Sequence, residues 1–532
     1  MTSIYRPPCD EGVIRAAPSD APCAERDRKW VLAATILGSG LAVIDASSTN
    51  VALPALQASL HANVVEMQWV INAYTLTLAA LILPGGSLGD RLGRARIFAA
   101  GVAIFALASL WCGLAPDIGQ LIAARILQGV GGALLIPGSL ALIGASFPPE
   151  ARGRAIGLWS GFSALMAAAG AVIGGWMIDT LSWRWIFFAN VPIAAVILAV
   201  VAMRVPESRD DKARGLDWFG AALITASLAG LAYGLLGSQT RGFGDPIVLA
   251  ALIAGATAFA VFLMIERRLA SPIVPLRLFR SSTFGGANLF TFLLYGSLGG
   301  ALFFLPLNLI QIEGYTATQA GAALLPFVLL VFLLSHWVGG LVDRCGAKPL
   351  LIVGPSIAAL GFALFALSAR GGSYWFTIFP AALALGIGMA TIAAPLTTTV
   401  MNAVEQRHAG LASGINNAVA RAATLLGVSC MGIVMLWMFA TELEAVLATI
   451  DLPTNTAAAL RRRSAELAAM TLPQELDAAT RNQVSVALGA AFLAGYRTVM
   501  AIAAALALVS AATAWLMITE PKPGGTSRGG TR

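Results

Sequence analysis

Apolar runs dominate the chain. A helix needs about 20 apolar residues to cross a bilayer, and fourteen stretches meet that length. They fall at roughly 30–54, 68–88, 97–115, 120–144, 155–178, 186–203, 217–237, 246–265, 284–309, 318–341, 350–368, 374–396, 411–438 and 497–518. Spans 7 and 8 are the weakest of the set but still hold long, largely uncharged runs. Composition points the same way. Of 532 residues, 58% are hydrophobic and 11% charged, against about 45–50% and about 25% in soluble domains. So few charges cannot cover a water-soluble surface of this size. Disorder is excluded as well, since it requires low hydrophobicity and high net charge. The chain reads as an all-α polytopic membrane protein.

The basic residues orient the spans. There are 34 Lys+Arg against 27 Asp+Glu, a balance that could suggest nucleic acid, but the cations sit in loops between apolar runs. That distribution is a topology signal. With the N-terminus in the cytoplasm, twenty-four of the 34 fall in cytoplasmic segments. The short loops on the other side carry only Arg184, Arg241 and Arg370. The long segment at about 440–496, with Arg497, holds five more, and long loops are exempt from the rule. Thirteen or fifteen spans would spoil the asymmetry. Both termini are therefore expected in the cytoplasm of a multi-pass inner-membrane protein. The first 29 residues are polar and show no cleavable signal peptide, so span 1 serves as its own insertion signal. None of the five cysteines has the loop context of a disulfide, and three histidines cannot build a dedicated metal cluster.

An internal repeat divides the chain. Gly86-Ser-Leu-Gly-Asp90-Arg91-Leu-Gly93-Arg94 after span 2 matches Gly339-Gly-Leu-Val-Asp343-Arg344-Cys-Gly346-Ala-Lys348 after span 10, at an offset of 253. Glu150-Ala-Arg152 before span 5 matches Glu405-Gln-Arg407 before span 13, at an offset of 255. Two matches at nearly one offset argue for two six-helix halves with spans 7 and 8 inserted between them. Parallel halves of this kind place a substrate cavity at their interface near the midplane. The expected organisation is a tail (1–29), an N-terminal half (30–203), two inserted helices with linkers (204–283), a C-terminal half (284–518) that includes the long periplasmic segment, and a tail (519–532).

These motifs carry a resemblance. The chain is similar to the major facilitator superfamily, in particular its fourteen-span drug:proton antiporters of the EmrB/QacA type, over nearly all of residues 30–518. Gly86–Arg96 resembles the superfamily's loop 2–3 signature. Ile44-Asp45-Ala-Ser-Ser-Thr-Asn50-Val-Ala-Leu-Pro54 resembles the span 1 signature of the fourteen-span branch, and Arg125-Ile-Leu-Gln-Gly129-Val-Gly-Gly the span 4 signature. Trp183-Arg-Trp-Ile-Phe-Phe-Ala-Asn190-Val-Pro192 is also similar to that branch. The resemblance implies a major facilitator fold of 14 helices in a 6+2+6 arrangement, with two pseudo-symmetric halves. One departure stands in span 5, where the antiporter pattern Gly-Pro followed by Gly-Gly reads Gly170-Ala171-Val-Ile-Gly174-Gly175. The glycines permit close helix approach, while the proline kink is absent.

Candidate chemistry is sparse. Asp45 is the only carboxylate well inside a span, and an intramembrane acid is a functional candidate because its burial costs at least about 2.5 kcal/mol. Asp45 lies about 13 Å below the outer end of span 1 and Arg125 about 8 Å below the same surface, so a guanidinium can bridge them. Burial favours the neutral acid, while a nearby guanidinium favours the carboxylate. A rearrangement of spans 1 and 4 that alters this balance would let Asp45 load a proton outside and release it inside, with substrate binding favouring release. The competing account is a fixed ion pair that braces the bundle. Arg421, about 15 Å into span 13, is either a brace or a cavity residue. Two arginines and one aspartate leave the interior net positive, which suits neutral or anionic lipophiles.

Other cavity candidates are Asn50, Trp69, Asn72, Tyr74, Gln128, Trp159, Phe162, Asn288, Tyr295, Asn416 and Asn417, since aromatics with a few amides suit a loose lipophile site. Packing and interfacial belts compete for each of them. His336 reads as a satisfied bundle histidine. Gly86, Asp90, Arg91, Gly93 and Arg94, with Asp343 and Arg344, read as a cytoplasmic gate. By resemblance, Asp90 would face the N-terminal end of span 13, where the helix dipole favours negative charge. Gly85-Gly-Ser87-Leu-Gly89 matches a nucleophile elbow but lacks the strand–turn–helix setting. No phosphate loop or zinc motif occurs, and no catalytic cluster suggests an enzyme.

The expected activity is proton-coupled efflux of lipophilic drugs or toxic compounds, driven by the proton gradient without a cofactor. The rivals are a dedicated exporter of one metabolite and an uncoupled sensor or lipid-handling protein. The segment 440–496 is expected to form short surface helices that either dock a periplasmic adaptor leading to an outer-membrane duct or cap the outer opening.

Overall fold

A computed structural model of the chain describes residues 9–10, 25–209, 217–269, 272, 274–367, 371–405, 409–448, 450, 452, 454–470, 472 and 476–519. Fourteen helices among them are long and apolar enough to cross a membrane. They are α1 (Glu25–Leu60), α2 (Val64–Leu92), α3 (Arg94–Leu114), α4 (Ile118–Ser146), α5 (Pro149–Thr180), α6 (Trp185–Phe188 continuing as Asn190–Arg204), α7 (Trp218–Arg241), α8 (Pro246–Glu266), α9 (Ser282–Leu307), α10 (Ala317–Ala323 continuing as Leu325–Cys345), α11 (Ala347–Ala366), α12 (Tyr374–Asn402), α13 (Ala409–Leu447) and α14 (Ala478–Met517).

Local chemistry sets the ends of these helices. Asn63 begins α2 with a reciprocal capping box, accepting from Glu66 N at 3.0 Å while its own amide donates to Glu66 Oε2 at 2.8 Å. Asp117 caps α4 and Asp245 caps α8 in the same sense. The turn between α2 and α3 is the single residue Gly93 at φ +114°, and the turn between α10 and α11 is Gly346 at φ +79°. A side chain would strain both positions. The two glycines are the repeat-equivalent pair, so the sequence repeat reappears as one backbone device used twice.

Packing follows a pseudo-two-fold axis. In the first half, α2 and α3 pack on α4, and α1 packs on α5. In the second half, α10 and α11 pack on α12, and α9 packs on α13. The halves meet along α5–α10 and α2–α13, pairs that the axis interchanges. Helices α7 and α8 pack on each other, and α7 rests against α2 and α13 at one of these seams. The core is large and aromatic, with Phe98, Phe105, Phe187, Phe290, Phe304 and Phe439 fully buried.

Three expectations need correction. Helix α1 runs through Pro54 to Leu60 rather than ending near the proline. Helices α13 and α14 are 39 and 40 residues long, about 58 and 60 Å, against a hydrocarbon core of about 30 Å. Of the segment read as a surface loop, 440–447 and 478–496 are therefore their continuation beyond the apolar stretch. The remaining connection holds a helix at Thr454–Arg462 and a 3-10 turn at Ser464–Ala469. Leu460 and Leu467 bury themselves there, and Gln57 Nε2 of α1 donates to Glu466 O at 3.0 Å.

Candidate functional site

A polar cluster lies inside the first half. Asp45 on α1 is 1% exposed and Arg125 on α4 is 1% exposed. Arg125 Nη1 donates to Asp45 Oδ2 at 2.5 Å and to Gln128 Oε1 at 2.6 Å, while Nε donates to Val70 O at 3.1 Å. Asp45 Oδ1 accepts from Gln128 Nε2 at 2.8 Å and from Asn190 Nδ2 on α6 at 3.0 Å. Ser109 on α3 accepts from both amides and donates its own hydroxyl hydrogen bond to Phe105 O. The Tyr74 ring lies 4.6 Å from the guanidinium carbon and adds a cation–π contact. Five helices thus converge on one carboxylate, and every described group that touches it is a donor.

A separate cavity of about 510 Å³ lies at the interface of the halves. Helix α13 supplies Ser413, Asn416, Asn417, Arg421 and Thr424, residues that share one helical face. Tyr295 comes from α9, Thr397 and Val400 from α12, and Ser163 alone from the first half. Among the described residues no carboxylate lines the cavity. Asn416 is held by Thr291 Oγ1 at 2.7 Å and Asn288 Oδ1 at 3.3 Å. Among the described residues Arg421 has no hydrogen bond or ion pair, so its guanidinium is left available to the cavity. Val400 lies two residues from the end of α12 and Ser413 in the second turn of α13. The cavity therefore occupies the part of the bundle nearer the Gly93 turn.

The opposite end is shut. Asp179 of α5 accepts from Ala317 N at 3.0 Å, Thr318 N at 2.8 Å and the Thr318 hydroxyl, capping the first segment of α10. Nearby, a Cβ on Gly175 would sit 2.5 Å from Ala317 O, so only glycine allows this approach. Gly170 and Gly174 give α1 the same access to α5, against Ile44 and Ser48. The α5 helix carries no internal proline, and at the Ala171 position its carbonyl packs on Gly321 of α10. On the other seam, Asn72 Nδ2 donates to Ser429 Oγ at 3.1 Å and Gln68 Nε2 to Val428 O at 3.3 Å. Gln239, near the end of α7, donates to Gln68 Oε1 at 2.9 Å and Ser429 O at 3.1 Å. The inserted helix thus grips both halves at once.

The structure brings Asp45, Arg125 and Gln128 together and puts Tyr295, Asn416, Asn417 and Arg421 on one cavity wall. It sends other candidates elsewhere. Gln128 and Tyr74 belong to the buried cluster, and Asn72 to the closed seam. Trp69 packs on Tyr233 of α7 with ring centroids 6.2 Å apart. Trp159 donates to Ser39 within the first half. Phe162 shares an exposed apolar stripe with Leu158, Leu165, Ile173 and Trp176. Because that stripe continues past the shut end, it faces lipid rather than the cavity. Asn288 stands behind Asn416, and Asn50 is half-buried outside the cavity lining. Residues not singled out from the sequence are Ser109, Asn190, Gln239 and the cavity hydroxyls.

At the Gly93 end, Asp90 pairs with Arg94 of its own turn at 2.8 Å rather than across the halves. Arg91 and Arg344 are exposed, and Gly86 lies on α2 against Pro137. The side chains of Asp343 and His336 lie outside the described residues. An unforeseen partner is Glu207, which accepts from Ala95 N at 2.9 Å and Arg96 N at 3.1 Å and so caps α3 from the linker after α6. Cys112, Cys345 and Cys430 are free, and no potential metal cluster occurs among the described residues.

Two six-helix halves around an interfacial cavity, packed shut at one end with the cavity lying toward the other, form the architecture of a multi-pass membrane transporter. The chain belongs to the Major Facilitator Superfamily, whose family model matches residues 35–428. It is 31% identical over 499 residues to the tetracenomycin C resistance and export protein of Streptomyces glaucescens, covering 92% of this chain and 91% of that one. It is 34% identical to the puromycin resistance protein pur8 of Streptomyces alboniger, over 79% of this chain and 85% of the relative. In fold it is similar to a bacterial homologue of the human lysosomal transporter Spinster in an inward-facing, unoccupied conformation. The TM-score is 0.64 at 17% identity, over 94% and 100% of the two chains. These relatives are transporters, several of them drug- and antibiotic-resistance exporters, and none is an enzyme.

Proposed function

We propose that the protein exports lipophilic compounds, neutral or anionic, in exchange for protons, and that the Gly93 end faces the cytoplasm. The observation that carries this reading is the buried Asp45, ringed only by donors and apart from a cavity whose one charge among the described residues is Arg421. An ionised carboxylate only accepts hydrogen bonds, whereas the protonated acid must also donate. Proton binding at Asp45 therefore puts an O–H where Arg125, Gln128 and Asn190 all present N–H groups, and the cluster must rearrange. Asn190 Oδ1 has no described partner, so turning over that amide supplies the missing acceptor. Because the carboxylate is sealed from solvent, exchange with either side also requires helices α1, α4 and α6 to move. That requirement ties proton transfer to the conformational cycle.

Substrate enters the cavity from the open end, where the Arg421 cation, amides and hydroxyls select against cationic compounds. No cofactor is needed, since the proton gradient supplies the work. The packed turn at Ser464–Ala469 favours a cap over the outer mouth rather than an adaptor-docking surface. Proteoliposomes with an imposed pH gradient test the whole scheme. The panel holds neutral, anionic and cationic lipophiles and includes tetracenomycin C and puromycin, the compounds named for two relatives. Substrate-dependent proton release that Asp45→Asn abolishes is the expected result. A gradient indifferent to every compound that the protein is shown to bind would overturn proton coupling.

A further inference from the structure

Helices α7 and α8 stand outside the six-helix repeat, and they leave a second cavity of about 520 Å³ on the flank of the bundle. It lies at the α2–α13 seam, with Ala80 and Pro84 from α2, Ile224 and Leu228 from α7, Phe262 from α8 and Ala422 from α13. It shares no residue with the central cavity and uses a different face of α13. Of its twenty lining residues only Ser227 has a polar side chain. Pro84 is eight residues from the end of α2 and Ala221 is in the first turn of α7, so the cavity lies toward the Gly93 end.

The rim is cationic. Arg267 follows the lining residue Leu263 by one helical turn, and Arg268 is its neighbour. Arg277 and Arg280 directly follow the lining residues Leu276 and Phe279 in the 3-10 turn Leu276–Arg280. All four are exposed, none forms an ion pair with a described residue, and the segment 267–280 contains no acid. An apolar slot at hydrocarbon depth beneath four cations at headgroup depth complements an amphiphile with a negative head. We infer that this seam holds one anionic phospholipid, with an acyl chain in the cavity and its phosphate at Arg267, Arg268, Arg277 and Arg280.

A transported compound on its way to the central cavity fits less well, because the slot offers it no polar contact. Topology alone explains that this loop is basic. It does not explain why the cations adjoin cavity-lining residues at i+1 and i+4. Each basic residue near an anionic surface is worth about fivefold in affinity, so four comfortably exceed a tenfold preference over a zwitterionic lipid. Since α2 and α13 belong to different halves, a lipid seated between them favours the conformation in which the slot exists.

Native mass spectrometry of the full-length protein, titrated with palmitoyl-oleoyl phosphatidylglycerol or phosphatidylcholine, tests this. One phosphatidylglycerol should be retained at least tenfold more tightly than phosphatidylcholine. The variant R267Q/R268Q/R277Q/R280Q should lose that preference. Ile224→Trp, which fills the slot, and Phe279→Ala, which removes part of its wall at an exposed position, should each weaken both lipids. Equal retention of the two lipids by the unmodified protein overturns the proposal, as does a preference that survives in the quadruple variant. Competition by glycerol phosphate as effective as by the intact lipid also overturns it, because the acyl slot would then play no part.

Discussion

The Asp45–Arg125 pair can be a proton carrier or a fixed brace, and a double-mutant cycle separates the two. Asp45→Asn keeps the shape but leaves the Arg125 guanidinium buried at 1% exposure without its counter-charge. Removing one partner of a buried pair costs about 3–5 kcal/mol, since an uncompensated charge remains out of water. The second variant, Asp45→Asn with Arg125→Met, removes both charges. It loses the Nε bond to Val70 O and the Nη1 bond to Gln128 Oε1, about 1 kcal/mol each, but replacing an entire buried pair with apolar volume is often neutral or stabilising. The single variant should therefore unfold far more readily than the unmodified protein, and the double variant should recover to within about 1–2 kcal/mol.

Transport separates the two accounts where stability cannot. A brace can be replaced, so a restored fold would restore exchange. A proton carrier cannot, so the double variant should be well folded and still fail to release protons when substrate is added. The assay pairs thermal unfolding in detergent with pH-gradient dissipation in liposomes on the same preparations. Proton-coupled transport by the double variant refutes the carrier role outright. A single variant as stable as the unmodified protein refutes the energetic reading of the pair.

Further consequences can be checked separately. Arg421→Gln should lower transport of anionic compounds at least tenfold while sparing neutral ones, because a hydrogen bond to a charged group is worth about 1.5–3 kcal/mol. Uniform loss across the panel in flux measurements would make Arg421 a brace. Gln239→Leu removes two hydrogen bonds that span the closed seam, about 1 kcal/mol each. It should raise by roughly tenfold or more the labelling rate of a cysteine placed at Gln311, just beyond α9, where the amide donates to Gln57 Oε1 of α1 at 2.9 Å, and an unchanged rate would free α7 from any part in closure. Gly175→Leu cannot accommodate the Ala317 carbonyl and should abolish transport without loss of membrane insertion, which expression and flux assays show together. Glu207→Gln weakens the cap on α3 and should cost about 1 kcal/mol of thermal stability.

The sequence made some of this legible for physical reasons. Charges inside apolar runs are so costly that Asp45 and Arg125 had good reason to be near one another, and 1.5 Å per residue put them within about 5 Å in depth, which a guanidinium can span. Asn190 was quoted only within the 183–192 motif and given no site role, and Ser109 went unseen, because a lone amide or hydroxyl in a span usually satisfies itself locally, as Ser429 and Thr291 do on their own helices. The face of α13 was readable from spacing, since Asn416, Asn417 and Arg421 recur at helical intervals. The aromatic candidates were not, because a ring serves a cavity, a lipid stripe or a neighbouring helix equally well. Trp69 and Phe162 went to the latter two. The reach of α13 and α14 was hidden because hydropathy falls where a helix leaves the membrane, although its backbone hydrogen bonds continue.

The separation of the proton cluster from the cavity limits how the two can be coupled. Asp45 lies within the first half, while the cavity is built almost wholly from the second, so a compound in the cavity makes no direct contact with Asp45 in this conformation. Helix α2 touches both the Asp45 cluster and α13, the helix that carries most of the polar cavity wall. Its Val70 carbonyl and Tyr74 ring hold Arg125, and its Asn72 holds Ser429 on the helix that carries Arg421. Rearrangement at Asp45 alters the hold on α2, and α2 can release α13 only by opening the closed end. Coupling of this kind operates through rigid helices with two alternative arrangements. It follows that Asn72→Leu should leave both the Asp45 cluster and substrate binding intact yet reduce protons moved per substrate. An unchanged ratio in paired flux measurements would exclude α2 as the link.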